Sequence, residues 1–423
     1  MSGAASARVT LSGKFAFDGG RAPEGDYLAM AANGAVRLEG PICIESAQIS
    51  LAPEDFYNCS FTIHEIVIGK GFHWEQSQAQ SFRGKLSMAR DADGLLIINE
   101  IPLESYLVSV ISSEMSASSP AELLRAHSIV ARSWLLAQLM KDKGEPPAQI
   151  STHSDQIIRW YDRAGHARFD VCNDDHCQRY HGISGAFSPA AFQAVADTRG
   201  QALTFGSEIC DARYSKCCGG MTELYRAAWE DRHLPYLKSI YDWGGKLLSY
   251  ALPLSHEANA ERWINSEPPA YCNLAPAELI SRILPSFDQQ TRDFYRWHIS
   301  YGADELSLIV RERSGIDFGR ILSLEPMERG LSGRIIKLRV VGQKRTAIIG
   351  KELEIRRALG RSHLYSSAFV VRAEADRFHL SGAGWGHGVG MCQIGAAVMA
   401  WLGHSHRQIL SHYFPGTSIS KLY

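Results

Sequence analysis

The sequence predicts an α+β protein, with a β-rich N-terminal domain followed by a mixed α/β region that carries the chemistry. Three observations lead there. Apolar residues alternate with a period of two before residue 84. Two helical periodicities follow one another between Pro102 and about Lys143. Strand patterning then returns and ends in a glycine-rich loop ahead of a final helix. At 423 residues the chain exceeds one ordinary core, so more than one domain is expected.

In the first segment Val9, Leu11, Phe15 and Phe17 alternate with polar or glycine residues, and "FTIHEIVIG" from Phe61 repeats the pattern. Residues 1–84 therefore read as a β domain, and 85–423 as the catalytic region. "LLIINEIPLESYL" from Leu95 is a strand running into a helix. On that helix Leu103, Leu107, Val110, Ile111 and Glu114 share one face. A second helix starts at Ser119-Pro120-Ala121-Glu122, which fits the S-x-x-E capping box, and carries Leu123, His127, Val130 and Trp134 on one face. Residues 150–240 mix loops with short strands. About 241–330 reads as a partly helical insert, with helix expected over 255–300. "GRIIKLRVVG" from Gly333 and "SSAFVVRAEADRFHLSG" from Ser366 read as strands, and Cys392–Leu402 as a helix. There is no internal repeat.

Hydrophobic residues make up 45% and charged residues 21% of the chain, with a net charge of -1. That balance disfavours nucleic acid and anionic membrane as partners. No apolar run reaches the ~18–20 residues of a membrane span, and the N-terminus as given shows no basic and apolar secretion signal. Nine cysteines, an odd number, are too few for a disulfide scaffold.

Three stretches carry chemistry. Glu114 stands where the helical pattern asks for an apolar residue. Burial disfavours a charged carboxylate, and a glutamic acid that keeps its proton can donate it to a leaving oxygen. The plain alternative is a Glu turned outward or paired with Arg125 or Arg132. In "HARFDVCNDDHCQRY", His166, Cys172, His176 and Cys177 match a tetrahedral zinc site in ligand type. A Cys172–Cys177 disulfide, or Asp174 or Asp175 in place of a histidine, competes with that reading, and Cys210, Cys217 and Cys218 are rival thiolates. "SGAGWGHGVGMCQIG", from Ser381, contains no G-x-G-x-x-G in any frame, which removes a dinucleotide site. Its alternating glycines suggest a backbone in close approach to something, with Trp385 and His387 projecting. A sugar ring suits such a surface, and a tight structural turn is the other reading.

Together "VISSEMSASSPAELLRAHSIVARSW", "FDVCNDDHCQRYHG", "ARYSKCCGGMTELY" with "PYLKS", and "GWGHGVGMCQIGA…ILSHYFPGT" resemble the stage II sporulation protein D family (SpoIID/LytB) from about residue 85 onward. The chain looks most like the long variants from outside spore formers, so a sporulation role does not follow. The resemblance implies a peptidoglycan lytic transglycosylase with Glu114 as its acid, and a structural zinc on His166, Cys172, His176 and Cys177. The family usually has Pro after the Glu-Met pair, where this chain has Ser116, and the Cys172–His176 gap is a residue shorter here. Arg132, Tyr214, Lys216, Trp385, His387 and Gln393 are the candidates for holding the glycan or tuning Glu114. The expected partners are peptidoglycan glycan strands, with a peptidoglycan amidase as a second partner, and the expected location is the cell envelope or periplasm. Two rival classes remain: a non-catalytic peptidoglycan-binding amidase enhancer, and an intracellular zinc protein.

Overall fold

The structure is a computed structural model. It describes residues 2–423 apart from 33, 70–74, 92–93, 117, 142–150, 154, 161–167, 174–176, 185–187, 246–249, 286–287, 290 and 292. The chain divides into two compact units, one of residues 1–117 and 168–199, the other of 118–167 and 200–423. Among the described residues no helix is long and apolar enough to cross a membrane.

The first unit is built on two six-stranded sheets. In one, Ser6–Ser12 runs antiparallel between Gly25–Ala32 and Ser60–Ile68. Period-two alternation puts Ala7, Val9, Leu11, Phe61 and Ile63 on the buried side. In the other, Lys85–Asp91 pairs antiparallel with Gln48–Pro53 and Gly94–Glu100, and Leu86, Met88, Ile49 and Leu51 fill its inner face. The strands at 85–100, which the sequence pattern assigned to the downstream region, thus hydrogen-bond into the N-terminal sheets. Sheet membership is set by partners distant in sequence, which local alternation does not reveal.

After this sheet comes the Leu103–Glu114 helix, with Pro102 at its N-cap. Its Leu107, Val110 and Ile111 are fully buried, as their spacing requires. The Pro189–Asp197 helix packs on it. Ser188 caps that helix by accepting the Ala191 N–H at 3.1 Å.

The second unit opens with the Ala121–Met140 helix, whose Leu123, His127, Val130 and Trp134 are buried together. The expected capping box does not form. The N-cap is Pro120, which has no N–H for Glu122 to receive. Glu122 instead accepts from Arg125 at 2.5 Å and from the His406 N–H at 2.6 Å. Downstream, Ile321–Arg329, Ile335–Gly342 and Thr346–Gly350 form an antiparallel meander joined in parallel by Gln156–Ile158. The hairpin of Phe369–Glu374 and Arg377–Ala383 adds Arg296–Gly302 at its edge. A core of Trp297, Leu306, Val310, Phe318, Ile335, Leu338, Ile349, Ile355 and Phe369 lies in this region.

Within 255–300 the expected helix is only partly present. Glu257–Ile264 and Ala277–Ile283 are helical, but Arg296–Gly302 is a strand. Its aromatic residues Trp297 and Tyr301 are buried against the hairpin, and that packing overrides the helical composition upstream.

Candidate functional site

In the first unit the site centres on Glu114, the last residue of its helix. Met115 turns extended and is fully buried, and this ends the helix one residue after the carboxylate. Glu114 is 8% exposed. Its Oε1 accepts the backbone N–H of Arg179 at 3.2 Å.

Arg179 belongs to a loop fixed at several points. Tyr180 N–H donates to Asn173 C=O at 3.4 Å, and Ile183 N–H to Ser81 C=O at 2.7 Å. Tyr106 on the Leu103–Glu114 helix donates to Gln178 Oε1 at 3.2 Å and stacks on Tyr180 with ring centroids 5.0 Å apart. Tyr180 in turn bonds Asn99. Gly182 has φ +61°, and a Cβ there would meet Ser81 O at 2.1 Å, so only glycine lets the loop lie on the sheet. His181 is buried beside Glu114. Burial, then the Arg179 charge, lowers its pKa to about 4 against the opposing pull of Glu114, so its imidazole is neutral at pH 7. Arg179 and His181 lie inside the "FDVCNDDHCQRYHG" stretch but were not singled out, and nothing in the pattern around Glu114 announced them or Tyr106.

Cys172 and Cys177 stand in the same loop, both half-buried and both close enough to Tyr106 to act on its hydroxyl electrostatically. His166 and His176 lie outside the described residues, as do Asp174 and Asp175. Beside the Leu103–Glu114 helix is also a cavity of about 420 Å³. Tyr57, Val108, Ser109, Ser112, Phe192 and Val195 line it, and Glu114 does not.

In the second unit the glycine-rich loop is zipped to the "ARYSKCC" stretch. Tyr214–Ser215 pairs in parallel with Met391–Cys392. Cys217 and Trp385 exchange both backbone hydrogen bonds, at 3.0 and 2.8 Å. Gly384, Gly386, Gly388 and Gly390 all have φ between 73° and 90°. A Cβ on Gly388 would lie 2.3 Å from the Arg334 guanidinium carbon, and one on Gly390 2.1 Å from Arg213 O. What the glycines approach is therefore the protein itself. Of the two readings of this loop, the tight structural turn fits the Gly386 and Gly388 sides, which Ser215 and Arg334 occupy.

Arg334 is fully buried and donates to Gly386 O at 3.1–3.2 Å and to Ser332 Oγ at 2.9 Å. Ser332 donates onward to Glu223 Oε2 at 2.6 Å, and the backbone N–H groups of Leu331 and Ser332 reach the same carboxylate. This buried clasp was not visible in the sequence, because its members are single residues without a repeat.

The six candidate glycan residues all fall in the second unit, in different surroundings. Trp385 is half-buried against Phe294 and Tyr365, with ring centroids 4.5 and 4.7 Å away. His387 Nδ1 accepts the Val389 N–H at 3.0 Å, and its ring meets Trp229 at 4.8 Å. Burial and the Arg213, Arg334 and Arg356 charges hold its pKa well below the usual imidazole range. Tyr214 lies edge-on to His127, with centroids 4.6 Å apart. Lys216 forms a 2.9 Å ion pair with buried Asp288. Gln393 is buried at the start of the Gln393–Trp401 helix. Arg132 is fully buried and donates to the backbone carbonyl of Gln201 at 3.0 Å. The guanidinium thereby fastens its helix to the Gln201–Phe205 strand.

The same unit gathers thiols. Cys218, Cys272, Cys392 and Asp242 are buried, with their ligand atoms all within 4.8 Å of one another, a group able to hold a metal ion. Cys217 lies fully buried beside them. Burial pushes the Cys217, Cys218 and Cys272 thiols well up. At Cys392 burial acts the same way but is overcome by hydrogen bonds from the three neighbouring thiols and the Cys218 N–H, which hold it well below the usual thiol range.

Comparison with known proteins adds the following. Residues 91–205 match the model of the stage II sporulation protein family, and residues 223–390 match a domain of unknown function. The chain is 26% identical to stage II sporulation protein D of Bacillus amyloliquefaciens over 330 residues, 77% of this chain and 76% of that protein. It is 24% identical to the protein of the same name from Bacillus subtilis, covering 77% and 76%. It is also 25% identical to an amidase enhancer of Bacillus subtilis, over 74% of this chain but 40% of that longer protein.

Proposed function

We propose that this chain, which carries a stage II sporulation protein domain at residues 91–205, is a peptidoglycan lytic transglycosylase of the cell envelope. The observation that carries the reading is the position of Glu114 inside that domain: nearly buried, at a helix end, with one oxygen fixed by the Arg179 N–H. A carboxyl group placed in this way can serve as both acid and base. In the acid form Glu114 protonates the oxygen linking N-acetylmuramic acid to N-acetylglucosamine. As carboxylate it then takes the proton of the muramic C6 hydroxyl, whose oxygen closes on C1 to give a 1,6-anhydro end. A glycosidase that uses water needs a second carboxylate as base or nucleophile. Here the sugar supplies its own nucleophile, so one suffices. His181 beside Glu114 is neutral at pH 7 and adds no charge to the site.

A zinc ion on His166, Cys172, His176 and Cys177 would order the loop that presents Arg179 to Glu114. Such a closed set of four ligands is structural. Support for it lies in Cys172 and Cys177 both being half-buried and both close enough to Tyr106 to act on it electrostatically.

The name of the Bacillus subtilis relative favours a second reading, a protein that binds peptidoglycan and assists an amidase. Digestion of purified sacculi and of peptide-free glycan strands, read by mass spectrometry, separates the two. Anhydro-muramic ends are expected; retention on the strands without new ends would replace the enzyme with the binder.

A further inference from the structure

We propose that Cys218, Cys272, Cys392 and Asp242 form a second, structural metal site that takes one zinc-class ion. A tetrahedral zinc with Zn–S bonds of about 2.3 Å sets its sulfur ligands about 3.8 Å apart, and with Zn–O near 2.0 Å sets sulfur and oxygen about 3.5 Å apart. Cys218 Sγ and Cys272 Sγ are 3.7 Å apart, and Cys218 Sγ and Asp242 Oδ2 are 3.2 Å apart. All four donor atoms lie within 4.8 Å of one another.

Outer contacts are those a metal centre needs. Asp242 presents Oδ2 to the sulfur, while its Oδ1 accepts the Tyr413 hydroxyl at 2.7 Å and contacts His412 Nε2 at 3.3 Å. Cys392 Sγ accepts N–H groups from Cys218 at 3.2 Å and Gly395 at 3.3 Å, and Cys218 Sγ accepts from Gly220 at 3.4 Å. Such N–H···S bonds offset the negative charge of thiolates. Gly395 is required there, because a Cβ would stand 2.3 Å from the Tyr413 hydroxyl and 2.6 Å from Asp242 Oδ2.

Binding balances simply. Three thiols each release a proton to solvent, Asp242 binds as its carboxylate, and no oxidation occurs. Soft thiolates and the small tetrahedral span select zinc over magnesium or calcium.

The topology says what the ion would do. Cys218 and Cys392 bracket residues 223–390, while Asp242 and Cys272 lie inside that segment. One ion would fasten both ends of a long excursion to two points within it, where closing a long loop gains most. The site is independent of the catalytic reading and of the His166–Cys177 set.

The test uses the full chain, expressed with zinc and purified without chelator. Cys272→Ser is expected to lose one equivalent of zinc relative to the parent, and Cys43→Ser, at an exposed thiol, none. Cys172→Ser reports separately on the other set, so failure of one assignment leaves the other readable. Should Cys272→Ser not fold, cobalt(II) loaded into Cys172→Ser decides, since that variant leaves this site intact. A near-ultraviolet thiolate-to-cobalt band with tetrahedral visible bands is expected. A spectrum without them, zinc content unchanged in soluble Cys272→Ser, or a Cys218–Cys272 disulfide in the metal-free native protein would overturn the proposal.

Discussion

Glu114 in the first unit and Asp242 in the second are both carboxylates with little contact with water, yet their surroundings differ in kind. Glu114 ends a helix, keeps 8% exposure and faces a loop backbone with a neutral histidine beside it. Asp242 has no exposure and is enclosed by thiols, a tyrosine hydroxyl and a histidine ring. The first arrangement holds one carboxylate oxygen on a backbone N–H at a helix end, with a little of the side chain still exposed, as the proposed acid needs. The second encloses a charge among ligands and donors, which suits a fixed centre. Burial alone therefore does not mark a catalytic carboxylate. What its neighbours can donate, and whether anything can reach it, distinguishes the two.

The contrast breaks if the interior of the second unit proves dispensable. Arg334→Met removes the guanidinium that spans Gly386 and Ser332 and leaves buried Glu223 without its compensating charge. It should cost about 3 kcal/mol of stability, the usual result of removing one member of a buried charged network. Denaturant unfolding of parent and variant checks this. Gly388→Ala should cost more than about 1 kcal/mol, from its φ of +74° and the 2.3 Å approach to Arg334. A Gly388→Ala protein of parental stability would restore the view that this loop is open on that side.

A smaller difference between the two units concerns pH. His181 in the first unit has a pKa of about 4, and His127 in the second about 3, against 6.5 when unfolded. The unfolded chain binds these protons first, so both histidines contribute stability above pH 6.5 that is lost as pH falls. From pH 6.5 to 5.5 each should cost about 1 kcal/mol. His181→Asn should remove this dependence from the first unit and leave it in the second, as read by amide hydrogen exchange in each. Equal acid sensitivity of both units in that variant would show that His181 is not shielded as described.

The elements readable from sequence were those with a period. Strand alternation at Val9–Leu11 and Phe61–Ile63, the helical face ending in Glu114, and the buried row Leu123–His127–Val130–Trp134 all appear as read. Glu114 itself was found because it interrupts an apolar face. Contacts between distant segments were not readable. The strand at Lys85–Asp91 finds its partner at Gln48–Pro53. Arg179 reaches Glu114 across 65 positions through a backbone N–H that no side-chain pattern encodes. Cys218 was noted as a thiolate, but Asp242, Cys272 and Cys392 are spread over 151 residues and join it only in the fold. The glycine loop misled for a related reason: its spacing shows that the backbone approaches something closely, but not that the neighbour is Arg334.

If Glu114 moves the proton in glycan cleavage, Glu114→Gln should stop turnover without unfolding the protein. The amide can still accept the Arg179 N–H, so the fold and strand binding should persist, but it cannot cycle a proton. On peptide-free glycan strands, release of 1,6-anhydro ends should fall by at least about 10²-fold, the usual worth of general acid–base catalysis, with the melting temperature unchanged. Anhydro ends released at the parental rate by a folded Glu114→Gln protein would contradict the claim.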